Sequence, residues 1–152
     1  MTYDVQTLSD IAEIRQLNAR YNRLADVGDG EGYAANFTED AEFDIVGNRV
    51  YRGRTEIASA ASATQVTVHV TTEPEIAVEG DMAQQRVRML SVVRAPDGSR
   101  NEFVASGWYV DVLKRTSEGW RYHRRRVELD LKVQEVFRKM GISAAFEALA
   151  QG

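Results

Sequence analysis

The sequence predicts an α+β fold: N-terminal helices laid across a cone-shaped, curved antiparallel sheet. Three observations predict it. Near the N-terminus, apolar residues recur at three- and four-residue spacing, the period of a helix with one buried face. From Gln65 onward they alternate or run in short blocks, the period of strands. Those strand-like segments follow one another through turns, with no βαβ unit between them, which is the α+β pattern. The chain has 152 residues, 43% of them apolar, enough for one packed core. A single domain over residues 1–152 is expected, with 132–150 as a C-terminal helical extension.

The first element is a helix over residues 7–25, with Ile11, Ile14, Leu17, Tyr21, Leu24 and Ala25 forming its apolar stripe. Thr7 and Asp10 offer a capping-box start, and Gly28-Asp29-Gly30 ends the helix. Asp29 can cap a short second helix that turns Tyr33, Ala34 and Phe37 inward. Residues 41–46 and 49–52 read as strands joined at Gly47-Asn48, a hairpin signal. Thr55 caps a short helix over 56–61. Strands follow over 65–72, 76–78, 82–94, 101–114 and 120–130. Their turns fall at Gly80-Asp81, Pro96-Asp97-Gly98 and 116–119. A last helix over 133–149, interrupted at Gly141, carries Val136, Phe137, Met140, Phe146 and Leu149 as its apolar surface. A bent sheet with helices across its mouth makes a cone, and a cone holds a small-molecule pocket.

Composition excludes several classes. The net charge is −4 with both signs interspersed, which argues against nucleic acid or an anionic membrane as a partner. No apolar run approaches the ~20 residues that span a bilayer. The N-terminal MTYDVQTLSD lacks the basic-then-apolar pattern of a secretion signal, so a soluble cytoplasmic protein is expected. There is no cysteine, hence no disulfide framework or thiolate metal site. No glycine-rich phosphate loop, serine elbow or histidine pair at metal-ligand spacing occurs. No metal and no cofactor are expected.

Two histidines are available for chemistry. Alternation puts Val66, Val68 and Val70 on one strand face and Gln65, Thr67, His69 and Thr71 on the other. That polar face either lines a cavity or meets solvent. In the last strand Trp120, Tyr122, Arg124 and Arg126 share one face, opposite Arg121, His123 and Arg125. His123 is therefore assigned to a solvated basic face, and Arg124 or Arg126 to the face that reaches a pocket. Asp26 ends the first helix, off the centre of the apolar stripe. It either pairs with Arg23 on the surface, or turns inward if the helix unwinds near Gly28.

Three stretches carry a family resemblance. They are Tyr21 to Tyr33 (YNRLADVGDGEGY) running on to Phe37-Thr38-Glu39-Asp40-Ala41, Thr67 to Thr72 (TVHVTT) followed by the Gly80-Asp81 turn, and Gly119-Trp120-Arg121-Tyr122 with Arg124 to Arg126. With them the chain resembles the SnoaL-like branch of the NTF2-like superfamily, whose fold is a cystatin-like α+β barrel. That branch includes polyketide cyclases, scytalone dehydratase and hexachlorocyclohexane dehydrochlorinase. The resemblance implies an Asp–His dyad at Asp26 and His69, with the carboxylate holding the imidazole and the imidazole taking a proton. It implies a cofactor-independent lyase (dehydratase-like), isomerase or cyclase acting on a small apolar ring compound that carries a carbonyl, hydroxyl or halogen. Tyr21, Trp108, Tyr109 and Arg124 would shape the pocket or donate hydrogen bonds, although Trp108 and Tyr109 fall on opposite faces of a regular strand. Core packing is the other reading of those aromatics. The chain departs from its relatives in carrying Glu73 where many have asparagine, and in lacking a clear second pocket histidine. The alternative from a different class is a non-catalytic ligand-binding or assembly module on the same cone. Relatives commonly assemble through the outer sheet face, so a homo-oligomer, dimer or trimer, is expected.

Overall fold

The computed structural model describes residues 2–62, 67–95 and 97–140. Helix α1 (Val5–Val27) starts earlier than the Thr7–Asp10 pair suggested, because Asp4 is its cap and accepts the Thr7 backbone N–H at 2.6 Å. Asp10 is instead drawn inside, where it accepts hydrogen bonds from Arg115 and from the Trp120 indole. Gly28 closes α1 in the left-handed conformation, with its own N–H and that of Asp29 returned to the carbonyls of Ala25 and Leu24. The helix is therefore unbroken through Asp26, and no unwinding turns that residue.

The remaining elements are α2 (Gly30–Ala34), β1 (Phe37–Ile45), β2 (Arg49–Arg52), α3 (Gly53–Ser62), β3 (Thr67–Thr71), β4 (Glu75–Glu79), β5 (Met82–Arg94), β6 (Asn101–Thr116), β7 (Gly119–Leu129) and α4 (Val133–Met140). Phe37 opens β1 rather than closing the second helix. Gln65, Val66, Pro96 and the expected helix beyond residue 140, with Phe146 and Leu149, lie outside the described residues. The sheet runs β2-β1-β7-β6-β5-β3, with β4 also paired to β5. It is curved and open, and one of its pairings, β1 with β7, is parallel rather than antiparallel.

One irregularity redirects a whole strand. Leu113 pairs with Tyr122, but Val112 pairs with Arg124, so His123 is an extra residue bulged out of β7. Inward positions are Trp120 and Tyr122 before the bulge, then Arg125 and Val127 after it. The uninterrupted alternation read from the sequence therefore fails at His123. Arg124 is exposed on the outer face, and Arg125 is the arginine turned into the protein.

Ile14, Leu17, Tyr21 and Leu24 pack α1 onto the concave side of the sheet, where they meet Tyr33, Phe37, Phe43, Leu113, Trp120 and Tyr122. Burying each large apolar side chain stabilises the fold by roughly 1.5–3 kcal/mol. Aromatic rings contact one another edge-on or tilted, at centroid separations such as 4.7 Å for Tyr21–Tyr33 and 5.3 Å for Phe37–Tyr122. The interior that the sequence left as a hollow is occupied by these rings and by a buried ion pair.

Candidate functional site

The helix and the edge strand meet along a polar seam. Asn22 and Asp26 are four residues apart on α1, so they share a face one turn apart. Strand β3 lies along that face in the opposite direction. Asn22 donates to Thr71 Oγ1 at 3.2 Å, and one turn on, Asp26 faces His69. Towards the N-terminal end, Arg15 pairs with Glu73 at 2.9 Å, both largely exposed. Asp26 misses the apolar stripe, as the wheel requires, yet it is covered because β3 flanks the helix instead of lying under it.

The Asp26–His69 contact is twofold. Asp26 Oδ1 accepts the His69 backbone N–H at 2.9 Å and stands 2.7 Å from Nδ1 of the same residue. A carboxylate only accepts, so the neutral imidazole carries its proton on Nδ1 and its lone pair on Nε2. Among the described residues Nε2 has no hydrogen-bond partner. The side chains of His69 and Asp26 are 19% and 24% exposed, so the pair is neither sealed nor fully in water. His69 lines a groove of about 630 Å³ between α1 and β3, together with Ala12, Ala19, Asn22, Thr71 and Pro74. Asn18 forms part of the same wall.

Behind that wall lies a second cluster, and this one is closed. Arg125 Nε and Nη2 donate to the two oxygens of Asp111 at 2.8 and 2.7 Å, and both side chains are essentially inaccessible. Three phenol rings, of Tyr21, Tyr109 and Tyr122, surround the guanidinium carbon at 3.9–4.1 Å. Burial alone would weaken the Arg125 charge, but Asp111 and the rings reverse that and hold it protonated. Burial likewise drives the Tyr33 and Tyr109 phenols well above their ordinary values. Gln85 donates to Asp111 at 2.6 Å and forms a reciprocal amide pair with Asn18, whose Oδ1 also accepts from the Tyr122 hydroxyl.

The site residues expected from sequence thus separate. Asp26 and His69 come together beside the groove. Tyr21 and Tyr109 are buried around Arg125, away from it, with the Tyr21 hydroxyl 2.6 Å from that of Tyr33. Trp108 is on the outer face under Arg86 and Arg88, because β6 alternates and Tyr109 takes the inward position. Arg124 is outside for the reason given by the bulge. His123 lies near Thr38 and Asp40, and Glu73 pairs with Arg15, clear of His69. Sequence reasoning missed Asn18, Asn22, Gln85 and Asp111. A signal existed for two of them. Gln85 interrupts the inward series Ala83, Val87, Met89, and Asp111 stands between Tyr109 and Leu113. Among the described residues, no three histidine or acidic side chains converge as a metal ion would need, and no helix is long and apolar enough to cross a membrane.

An open, curved sheet with helices on its concave side defines the class of fold. Residues 6–126 match the model of the SnoaL-like domain, and the chain belongs to that family. The D26N variant of Rv3472, a Mycobacterium tuberculosis protein of unknown function, is similar at 30% identity and a TM-score of 0.82, with 95% of this chain and 92% of that one covered. An NTF2-like protein with a cystatin-like fold from Novosphingobium aromaticivorans is 30% identical, TM-score 0.77, covering 97% and 93%. A candidate scytalone dehydratase from the same organism shares the fold at 22% identity, TM-score 0.73, covering 82% and 87%. No curated protein matches the chain in sequence.

Proposed function

We infer that the protein is a cofactor-independent acid–base enzyme, a lyase or isomerase acting on a small ring compound that bears a carbonyl or hydroxyl group. The observation that carries this reading is the double acceptance at Asp26 Oδ1, which fixes His69 with its Nε2 lone pair unpartnered beside the groove. His69 Nε2 takes a proton from a carbon next to an electron-withdrawing group. The imidazolium that forms lies against the Asp26 carboxylate, which stabilises it. In an elimination, the electrons of the broken C–H bond form the C=C bond as the C–O bond breaks. The imidazolium proton leaves with the oxygen as water. In an isomerisation the same proton returns to another carbon.

The test is exchange of carbon-bound hydrogen for deuterium in a panel of ring ketones, followed by proton NMR in heavy water. Wild type is expected to accelerate exchange, and His69→Ala to lower the rate by roughly 10²–10⁴-fold, the usual span of a general base. Exchange by His69→Ala at the wild-type rate would refute the role. The second reading, a non-catalytic binding module, is favoured by the openness of the groove, which leaves the imidazole partly exposed. A homo-oligomer remains part of the proposal. Val70 and Leu90 pair across β3 and β5, Phe103 on β6 pairs with Val92 two residues further along β5, and Val70, Leu90 and Phe103 are exposed. Light scattering reads the stoichiometry, and a monomer would remove this part.

A further inference from the structure

Arg15, Ala19 and Asn22 turn one flank of α1 to the groove. Glu13 and Arg20 fall on the other flank of the buried stripe. There Arg20 joins Arg54, from the start of α3, and Arg121, from the start of β7, and the three are pinned to one ledge of backbone. Arg20 Nε donates to Asn36 Oδ1 at 2.8 Å, Arg54 Nε to the Phe37 carbonyl at 2.9 Å, and Arg121 Nη1 to the Trp120 carbonyl at 2.9 Å. Asn36 is buried, and its Nδ2 is held by the carbonyls of Gly32 and Tyr33. The ledge is continuous, because Tyr122 donates its N–H to the Asn36 carbonyl and pairs with Phe37 where β1 meets β7. Each guanidinium thus uses one nitrogen to fix itself, and the remaining nitrogens find little. Arg54 Nη2 is 3.9 Å from Glu118, too far for a hydrogen bond, and Arg121 Nε is buried without a partner. Of the two carboxylates nearby, Glu13 gives Oε1 to the Trp120 N–H and Glu118 is largely exposed. Burial, and next the charge of Arg20, push the Arg121 guanidinium below its ordinary value; Arg54 adds to this, and Glu118 and Glu13 do not restore it.

In a chain of net charge −4, three cations are gathered here with too few anions between them. A carboxylate offers two oxygens and one charge, which a single guanidinium matches in bidentate fashion. Three guanidiniums at one edge match an anion with three acceptor oxygens and close to two charges, which describes a phosphate group. We propose that Arg20, Arg54 and Arg121 form a phosphate-binding site, separate from the groove, that takes inorganic phosphate or the phosphate end of a small monoester. Its hydrogen bonds are charge-assisted, and at Arg121 they form where the protein has already removed part of the water, which strengthens them. The ledge fixes the guanidiniums in advance, so binding has little left to order. The site goes beyond the acid–base reading and does not depend on it.

The probes are sodium phosphate and methyl phosphate, titrated at neutral pH into nitrogen-15-labelled protein with sodium chloride holding the ionic strength constant. Arginine Nε–H resonances report binding, and burial slows the exchange of the Arg121 Nε–H with water, which keeps it visible. The signals of Arg20, Arg54 and Arg121 are expected to move together and to saturate, while that of Arg100, between β5 and β6, stays in place. Arg20→Gln and Arg121→Gln are each expected to weaken phosphate binding roughly tenfold or more, the worth of one hydrogen bond to a charged group. Arg100→Gln and His69→Ala are expected to bind phosphate as wild type does. Methyl phosphate binding as tightly as phosphate assigns the site to monoesters, binding of phosphate alone assigns it to the free ion, and either result supports the proposal. It is overturned if neither probe gives a saturating movement up to roughly 50 mM, where a millimolar site is filled. Equal movement of the Arg100 signal, or undiminished binding by Arg20→Gln, overturns it as well. Loss of binding in His69→Ala would put the anion in the groove, with the same consequence. Arg20 is exposed on a helix, so Arg20→Gln decides the matter even if Arg121→Gln fails to fold.

Discussion

Two pairs of an aspartate with a basic side chain, one on each side of α1's packing surface, differ in how far they are closed off from water. Asp111 and Arg125 are sealed, with 0% and 1% of their side chains exposed. Asp26 and His69 sit at a groove with about a fifth of each side chain open. The sealed pair has its cation ringed by phenols and its anion accepting three hydrogen bonds, and the amides of Gln85 and Asn18 extend it to the groove wall. Its charges are spent on holding other groups still. The open pair spends one carboxylate oxygen on orienting one imidazole and leaves that imidazole's second nitrogen available. Deep burial with a bidentate contact holds the first pair rigid although Arg125 Nη1 is left without a partner, whereas partial burial leaves one lone pair of His69 open to the groove, as the proposed reaction requires.

The largest effect is expected at the sealed pair. Asp111→Leu leaves the Arg125 charge buried without its partner, and unfolding free energy in urea is expected to fall by roughly 3–5 kcal/mol. Replacing both partners, Asp111→Leu with Arg125→Met, is expected to cost less than the single change, since no charge is left stranded. A double variant weaker than the single would show that the pair itself, and not stranding, is what matters.

Asp10 and Arg115 lie between the extremes, with the acid buried and the base partly exposed. The bidentate Arg115 contact, aided by the Trp120 and Gln6 side chains, holds the Asp10 carboxyl at about 2 against an ordinary 3.8, in spite of burial. Because the folded value is depressed, this contribution is present above pH ~4 and is lost as pH falls towards 2. It amounts to about 2 kcal/mol. Asp10→Asn should flatten the acid limb of the stability–pH curve, and an unchanged limb would contradict the assignment.

At the open pair, His69→Ala is expected to change stability by about 1 kcal/mol or less, because the imidazole gives up one partly exposed hydrogen bond. A loss as large as that of Asp111→Leu would mean His69 is scaffold too. The smallest effect belongs to Arg15→Ala, where a largely exposed pair with Glu73 contributes under about 1 kcal/mol. Thermal melts in high and low salt resolve it.

Much of this architecture was legible because period follows geometry. The stripe from Ile14 to Leu24 specified α1, and the alternation of residues 82–94 specified β5 to the residue. The parallel β1–β7 pairing was not legible, since register between distant strands depends on how the sheet curls. Nor was the bulge at His123, which no glycine or proline marks and which exchanges Arg124 for Arg125 on the inner face. Asp26 and His69 were singled out by resemblance. The helical wheel alone pointed Asp26 towards Arg23, because a wheel contains no information about a strand lying along the helix flank. Asn18 carried no signal, since a polar residue between Leu17 and Ala19 reads as an ordinary exposed position until its partners Gln85 and Tyr122 are brought to it.

The proposed role of His69 requires its proton on Nδ1, and nitrogen-15 chemical shifts of the ring read this directly. With only two histidines in the chain, a His123→Gln variant makes the assignment unambiguous. At a pH where the ring is neutral, Nδ1 is expected to show the protonated shift and Nε2 the unprotonated one, with the preference weakened in Asp26→Ala. A ring protonated on Nε2 in the wild type, or a preference untouched by Asp26→Ala, would contradict it.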